Sequence, residues 1–79
     1  MNYDTKKVML LGSLLFTKEE IEVILMSDDD VGGFDDAHRK GELTGEFEIR
    51  KALYNQAKSG DNNALIQWNM LKAKINHNA

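Results

Sequence analysis

Apolar residues recur every three or four positions along most of the chain, which is the spacing of amphipathic α-helices rather than of strands. The first stripe, in TKKVMLLGSLLF, consists of Val8, Leu11, Leu14 and Leu15. The second, in TKEEIEVILM, consists of Ile21, Ile24 and Leu25. A longer stripe runs through residues 35–58 and a last one through residues 62–75. The pattern therefore predicts an all-α fold of four or five helices.

The start of the second helix is specified by its own sequence. Thr17 suits the N-cap position, and Glu20, three residues later, completes a capping box. Phe16 before the cap and Ile21 at the fourth helical position match a hydrophobic staple. We expect this helix to be the best-defined local element of the chain.

The next segment, SDDDVGGFDDAHRKGE, predicts a short third helix with Ser27 or Asp28 as its cap, which Gly32 and Gly33 weaken or break. Val31 and Phe34 are three residues apart, so we expect both side chains to pack inward. With the two preceding helices, this element would form a helix-turn-helix-like unit over residues 5–40.

Two glycines interrupt the long helical pattern of residues 35–58. Gly41 and Gly45 each cost a helix about 1 kcal/mol relative to alanine. We therefore expect this helix to kink or break near residues 41–45.

A turn at Ser59–Asp61 separates the last two helical patterns. Gly60 suits the left-handed position after a helix, and Asp61 suits the N-cap of the next one. The short turn predicts an antiparallel helical hairpin over residues 42–76. The last helix is expected to bury the face formed by Ala64, Leu65, Trp68, Leu71 and Ile75.

The hairpin has more apolar surface than two helices can bury by themselves. The residues concerned include Phe47, Ile49, Tyr54, Trp68, Met70 and Leu71. They either pack against the N-terminal helices or form a contact between subunits. For the second case, the residues expected to mediate oligomerisation are Phe47, Tyr54, Trp68 and Leu71.

With 79 residues, the chain is expected to form a single domain, residues 1–79. It contains no cysteine, which excludes disulfides and cysteine-based zinc sites, and no proline to interrupt long helices. The longest apolar run, residues 8–16, is too short to span a bilayer, and no signal-peptide cleavage site follows it. These features predict a cytoplasmic protein without a membrane partner.

Charge is distributed unevenly along the chain, whose formal net charge is −3 at pH 7. Residues 1–49 contain five Lys/Arg and twelve Asp/Glu, a net charge of −7. Residues 50–79 contain five Lys/Arg and one Asp, a net charge of +4. Such halves attract each other, either within one chain or between copies.

Candidate catalytic and metal-binding residues are few. A calcium loop beginning at Asp28 would have Gly33 at its sixth position, as required, but Arg39 at the twelfth, where a bidentate glutamate belongs. The two histidines, without any cysteine, offer little for nucleophilic catalysis or zinc binding. We therefore predict a protein that is not an enzyme and has no cofactor or metal.

DNA binding would depend on a few basic residues around the helix-turn-helix-like unit. The residues predicted to contact phosphates are Lys18, His38, Arg39 and Lys40. Five aspartates lie close to them and repel phosphates, so each copy should bind double-stranded DNA weakly. Several copies in an oligomer would bind more tightly through multivalency.

The segment GELTGEFEIRKALYNQAKSGDNNALIQWNMLKAK resembles the C-terminal hairpin of phage terminase small subunits. FTKEEIEVIL resembles the first helix of the DNA-binding motif in the same family, so the resemblance covers about residues 16–74. It implies a phage or prophage protein, in the cytoplasm of the host cell, that recognises DNA and assembles into oligomers. It also implies that the DNA is delivered to a separate large packaging subunit.

Two functions therefore remain open at this point. The first is a non-catalytic DNA-recognition subunit of a packaging complex, on the strength of the resemblance. The second is an oligomerising protein-interaction adaptor without DNA binding, motivated by the acidic segment of residues 28–36.

Overall fold

The computed structural model describes residues 4–78, and the side chains of residues 4–76. These residues form four α-helices and a single 3-10 turn, with no strand among them, so the predicted all-α fold is confirmed. The elements, in chain order, are α1 (Thr5–Ser13), α2 (Lys18–Leu25), the 3-10 turn (Asp28–Asp30), α3 (Phe34–Lys58) and α4 (Asn62–Asn78).

The chain divides into two compact units, and the boundary falls inside α3 between Phe47 and Glu48. We call them the N-terminal unit, which ends at Phe47, and the C-terminal unit, which begins at Glu48. In the N-terminal unit α1 packs against α2. Its buried apolar side chains are Leu11, Leu14, Phe16 and Leu43.

The first helix ends in a tight turn that places a leucine in the left-handed region. Leu15 has a φ of 72°. The amide of Leu15 donates to the carbonyl of Gly12, and that of Phe16 donates to the carbonyl of Leu11. This is the Schellman arrangement, in which glycine is the usual residue at the left-handed position. Burial of Leu11 and Phe16 on either side of the turn offsets the steric cost at Leu15.

The predicted capping box of α2 is confirmed. The Thr17 hydroxyl accepts a hydrogen bond from the Glu20 amide at 3.2 Å, and the Glu20 carboxylate accepts one from the Thr17 amide at 2.9 Å. Both orphan donors are thereby satisfied, which fixes the first residue of the helix.

Two expectations for residues 31–45, which follow α2, are wrong. Phe34 does not pack inward: its side chain is 84% exposed, because the third element is only a 3-10 turn that ends before Val31. The long helix α3 does not break at residues 41–45 but runs from Phe34 to Lys58. Gly41 and Gly45 are exposed in this helix. Their low helix propensity is offset by the helical hydrogen bonds on either side of them.

The C-terminal unit is an antiparallel hairpin formed by the end of α3 and by α4. As predicted, Gly60 is left-handed, with a φ of 101°. The amide of Asp61 donates to the carbonyl of Gln56, which completes a second Schellman turn. The Asp61 carboxylate then accepts from the Ala64 amide at 3.0 Å and caps α4. Asp61 thus takes part both in the turn that ends α3 and in the cap that starts α4.

Substitution of Gly60 tests this turn. We expect Gly60→Ala to lower the free energy of unfolding by about 1–2 kcal/mol, because a Cβ atom is strained at that φ. The matched control is Gly41→Ala, where an added Cβ meets no atom within 4 Å. That change should raise the free energy of unfolding by up to about 1 kcal/mol. Urea titrations of both variants, followed by circular dichroism, measure the two changes in the free energy of unfolding. Equal changes would contradict the assignment of Gly60 to the left-handed position of the turn.

Candidate functional site

Lys40, one of the four predicted phosphate contacts, is half-buried and bonded to backbone carbonyls. Its ammonium donates to the carbonyl of Ile24 at 3.3 Å and to that of Met26. These carbonyls lie at the C-terminal end of α2, where unpaired acceptors and the helix dipole favour a cation. Lys40 therefore anchors α3 to the end of α2, and its ammonium donates hydrogen bonds within the protein.

The other three predicted phosphate contacts are exposed on the N-terminal unit. Lys18 is the first residue of α2, at the opposite end of that helix from the ammonium of Lys40. His38 lies 3.1 Å from the carboxylate of Glu42 and stacks on the ring of Phe34. The structure therefore does not bring Lys18 and Lys40 together, whereas His38 and Arg39 are neighbours on α3.

Two aspartates of residues 28–36, Asp30 and Asp36, accept local hydrogen bonds. The Asp30 carboxylate accepts a hydrogen bond from the Ser27 hydroxyl at 2.8 Å. That of Asp36 accepts from the Gly32 amide at 3.0 Å, just before the first turn of α3. Asp35 and Asp36 also complement the positive end of the α3 dipole. Among the residues that the structure describes, no group of three or more acidic or histidine side chains is placed to hold a metal ion.

The four predicted oligomerisation residues fall in both units. Phe47 is half-buried and is the last residue of the N-terminal unit. Tyr54 and Trp68 are in contact within the hairpin, with ring centroids 5.1 Å apart and planes tilted by 58°. Leu71 is half-buried on α4. Trp68 is only 8% exposed, so the Tyr54–Trp68 pair holds the hairpin together.

A second apolar face of α4 is exposed. Ile66 and Met70 are four residues apart and are 57% and 66% exposed. Ala73 extends this face, which lies opposite the one that buries Ala64 and Trp68, and Leu65, 45% exposed, lies at its edge between the two faces. We call these four residues, Leu65, Ile66, Met70 and Ala73, the α4 stripe. A helix that is apolar on opposite faces is typical of an element covered on both sides.

An apolar groove lies between α1 and α2. It has a volume of about 320 Å³ and is lined by Val8, Lys18, Ile21, Glu22 and Leu25. The three apolar lining residues are each half-buried, and Glu22 is exposed. We call this feature the α1–α2 groove. Its apolar floor and charged margin are typical of grooves that receive an amphipathic helix.

No known protein family, curated protein or solved structure matches this chain. In the part of the chain that the structure describes, no helix has the length and apolar character needed to cross a bilayer.

Sequence reasoning missed the α4 stripe in part. The periodicity predicts Leu65 on the buried face and indicates Met70 only as surplus apolar surface. The available signal was that α4 has apolar residues on opposite sides, at Ile66 and Met70 as well as at Ala64 and Trp68. The α1–α2 groove gave no comparable signal, because Val8 and Ile21 follow the spacing of ordinary core residues.

Proposed function

We propose that this protein is a non-catalytic interaction module that assembles with copies of itself. The observation that carries the proposal is the α4 stripe, an apolar face exposed opposite a face that is already buried. Exposed apolar side chains that form a contiguous patch mark protein–protein contacts more often than isolated ones do. Ile66 and Met70 are the centre of that patch.

The size of the chain supports the same function. A chain of 79 residues buries a smaller fraction of its surface than a larger domain does, so association adds stability that its own core lacks. Leu14 is the only apolar side chain with no exposed surface among the described residues. Association through α4 would remove further apolar surface from water, which contributes about 25 cal/mol per Å².

A charged substitution in the stripe tests this function. We expect Ile66→Glu to raise the dissociation constant for self-association by about ten-fold or more, because a carboxylate cannot be buried without a partner. The matched control is Gln67→Glu, which adds the same charge at an exposed position of α4 outside the stripe. Light scattering coupled to size exclusion, over a range of loading concentrations, gives both constants. Equal constants for the two variants would contradict a role for the stripe.

DNA recognition is the second candidate function, and the exposure of Lys18, His38 and Arg39 on the N-terminal unit favours it. Here the protein would be a DNA-recognition subunit of the terminase small-subunit type, acting with a large packaging subunit. Binding would be weak for each copy, because the N-terminal unit contains eleven Asp/Glu and five Lys/Arg.

Arg39→Ala is the variant that tests DNA binding. If Arg39 contacts phosphate, the substitution weakens binding to duplex DNA uniformly across sequences and lowers the salt dependence by about one phosphate contact. Fluorescence anisotropy at several salt concentrations measures both quantities, and Gln67→Glu is again a control, here on α4 in the C-terminal unit, which contains none of the predicted contacts. Absence of binding by the wild-type chain at low salt would exclude this function.

A further inference from the structure

We infer that the α4 stripe of one copy docks into the α1–α2 groove of a second copy. This inference rests on the proposed self-assembly and specifies which two surfaces meet. The occupant of the groove is α4 of another copy of this protein, so the contact joins two different surfaces rather than one surface to itself. The arrangement is therefore head-to-tail.

The two surfaces match in chemistry and in length. The groove presents Val8, Ile21 and Leu25, and the stripe presents exposed apolar side chains from Leu65 to Ala73. Along their axes, the stripe spans about 12 Å and the α2 side of the groove about 10 Å, at about 1.5 Å per residue. A helix laid in the groove would contact both α1 and α2, as in helix-in-groove recognition.

Charge favours this pairing over a contact between two stripes. Lys72 and Lys74 lie on either side of Ala73, and α4 contains no Asp or Glu. Two parallel stripes in contact would therefore place lysines against lysines, and two antiparallel ones would still bring together two helices without an acidic side chain. The groove is lined by one acidic and one basic side chain, Glu22 and Lys18, but α2 as a whole contains three glutamates and one lysine. A stripe in the groove therefore places its lysines beside a helix whose net charge is −2, from one lysine and three glutamates.

The same complementarity extends to the two units. The N-terminal unit contains five Lys/Arg and eleven Asp/Glu, a net charge of −6. The C-terminal unit contains five Lys/Arg and two Asp/Glu, a net charge of +3. Opposite charges steer the groove of one copy towards the stripe of another and disfavour contacts between like units. In a head-to-tail assembly every copy uses both its groove and its stripe, except that a copy at an open end uses only one of them.

Charge reversal on each surface tests the inference. The groove variant is Glu22→Lys, and the stripe variant is Lys72→Glu with Lys74→Glu; all three positions are exposed. Each variant alone should have a dissociation constant for self-association about three- to ten-fold above that of the wild type. An equimolar mixture should recover the wild-type constant, because each groove then finds a stripe of opposite charge. A chain with all three substitutions should recover it as well, and circular dichroism of each variant confirms that it is folded.

The outcomes separate this inference from the proposed function. If the wild type remains monomeric, both fail. If the wild type associates and Glu22→Lys associates equally well, the groove is not the docking surface, although self-assembly stands. If both variants are weakened but neither the mixture nor the triple variant recovers, the two surfaces do not meet. Recovery in both supports the head-to-tail contact.

Discussion

Trp68→Ala is expected to lower the free energy of unfolding by about 3–5 kcal/mol, the usual cost of removing a large buried aromatic side chain. The indole is 8% exposed and packs against Tyr54 at 5.1 Å between ring centroids. Few other side chains in the C-terminal unit are buried, since only Arg50 and Ala64 join it among the described residues. Neighbouring side chains therefore cannot fill the space without opening the hairpin.

The matched control is Leu65→Ala on the same helix. Leu65 is 45% exposed, so its truncation should change the free energy of unfolding by less than about 1 kcal/mol when the chains are monomeric. Thermal and urea unfolding followed by far-ultraviolet circular dichroism measure both variants without relying on tryptophan fluorescence. If the two substitutions cost the same, Trp68 does not hold the hairpin together.

Lys40→Met is expected to lower the free energy of unfolding by about 1.5–3 kcal/mol, the range for hydrogen bonds to a charged group. Methionine retains an apolar stem of similar length but has no ammonium to donate to the carbonyls of Ile24 and Met26. Those carbonyls would then lose their partner at the C-terminal end of α2, where the dipole also favours a cation.

The control for Lys40 is its exposed neighbour, in the variant Arg39→Ala. This substitution should change the free energy of unfolding by no more than about 0.5 kcal/mol. Amide hydrogen exchange in α2 gives a second measurement, since loss of the Lys40 contact should increase exchange there. Unchanged exchange and stability in Lys40→Met would show that the contact contributes nothing. Because Lys40 supports the fold, Arg39 is the better position for testing DNA binding.

Features set by neighbouring residues were predictable from the sequence. The capping box of Thr17 and Glu20 and the turn at Gly60 and Asp61 involve residues at most five apart. Their chemistry is visible in a short window, because side-chain capping and left-handed glycine depend on local backbone geometry. The order and type of the helices follow from periodicity for the same reason.

Features set by tertiary packing were not predictable in the same way. Lys40 reaches carbonyls 14 and 16 residues away, so its sequence position alone indicates only a cation near the surface. Leu15 adopts a left-handed φ that is usual for glycine, so the leucine at this position does not indicate it. Periodicity also does not determine which of two apolar faces of α4 is buried, which is why the stripe around Ile66 emerged only from the structure.

Self-assembly through α4 is the central claim, and the mass of the wild-type chain in solution tests it most directly. Sedimentation equilibrium over a wide range of protein concentrations gives the weight-average mass without a column. We predict that this mass rises above the 9.0 kDa of one chain as the concentration increases. A mass that stays at 9.0 kDa throughout the range would contradict the claim.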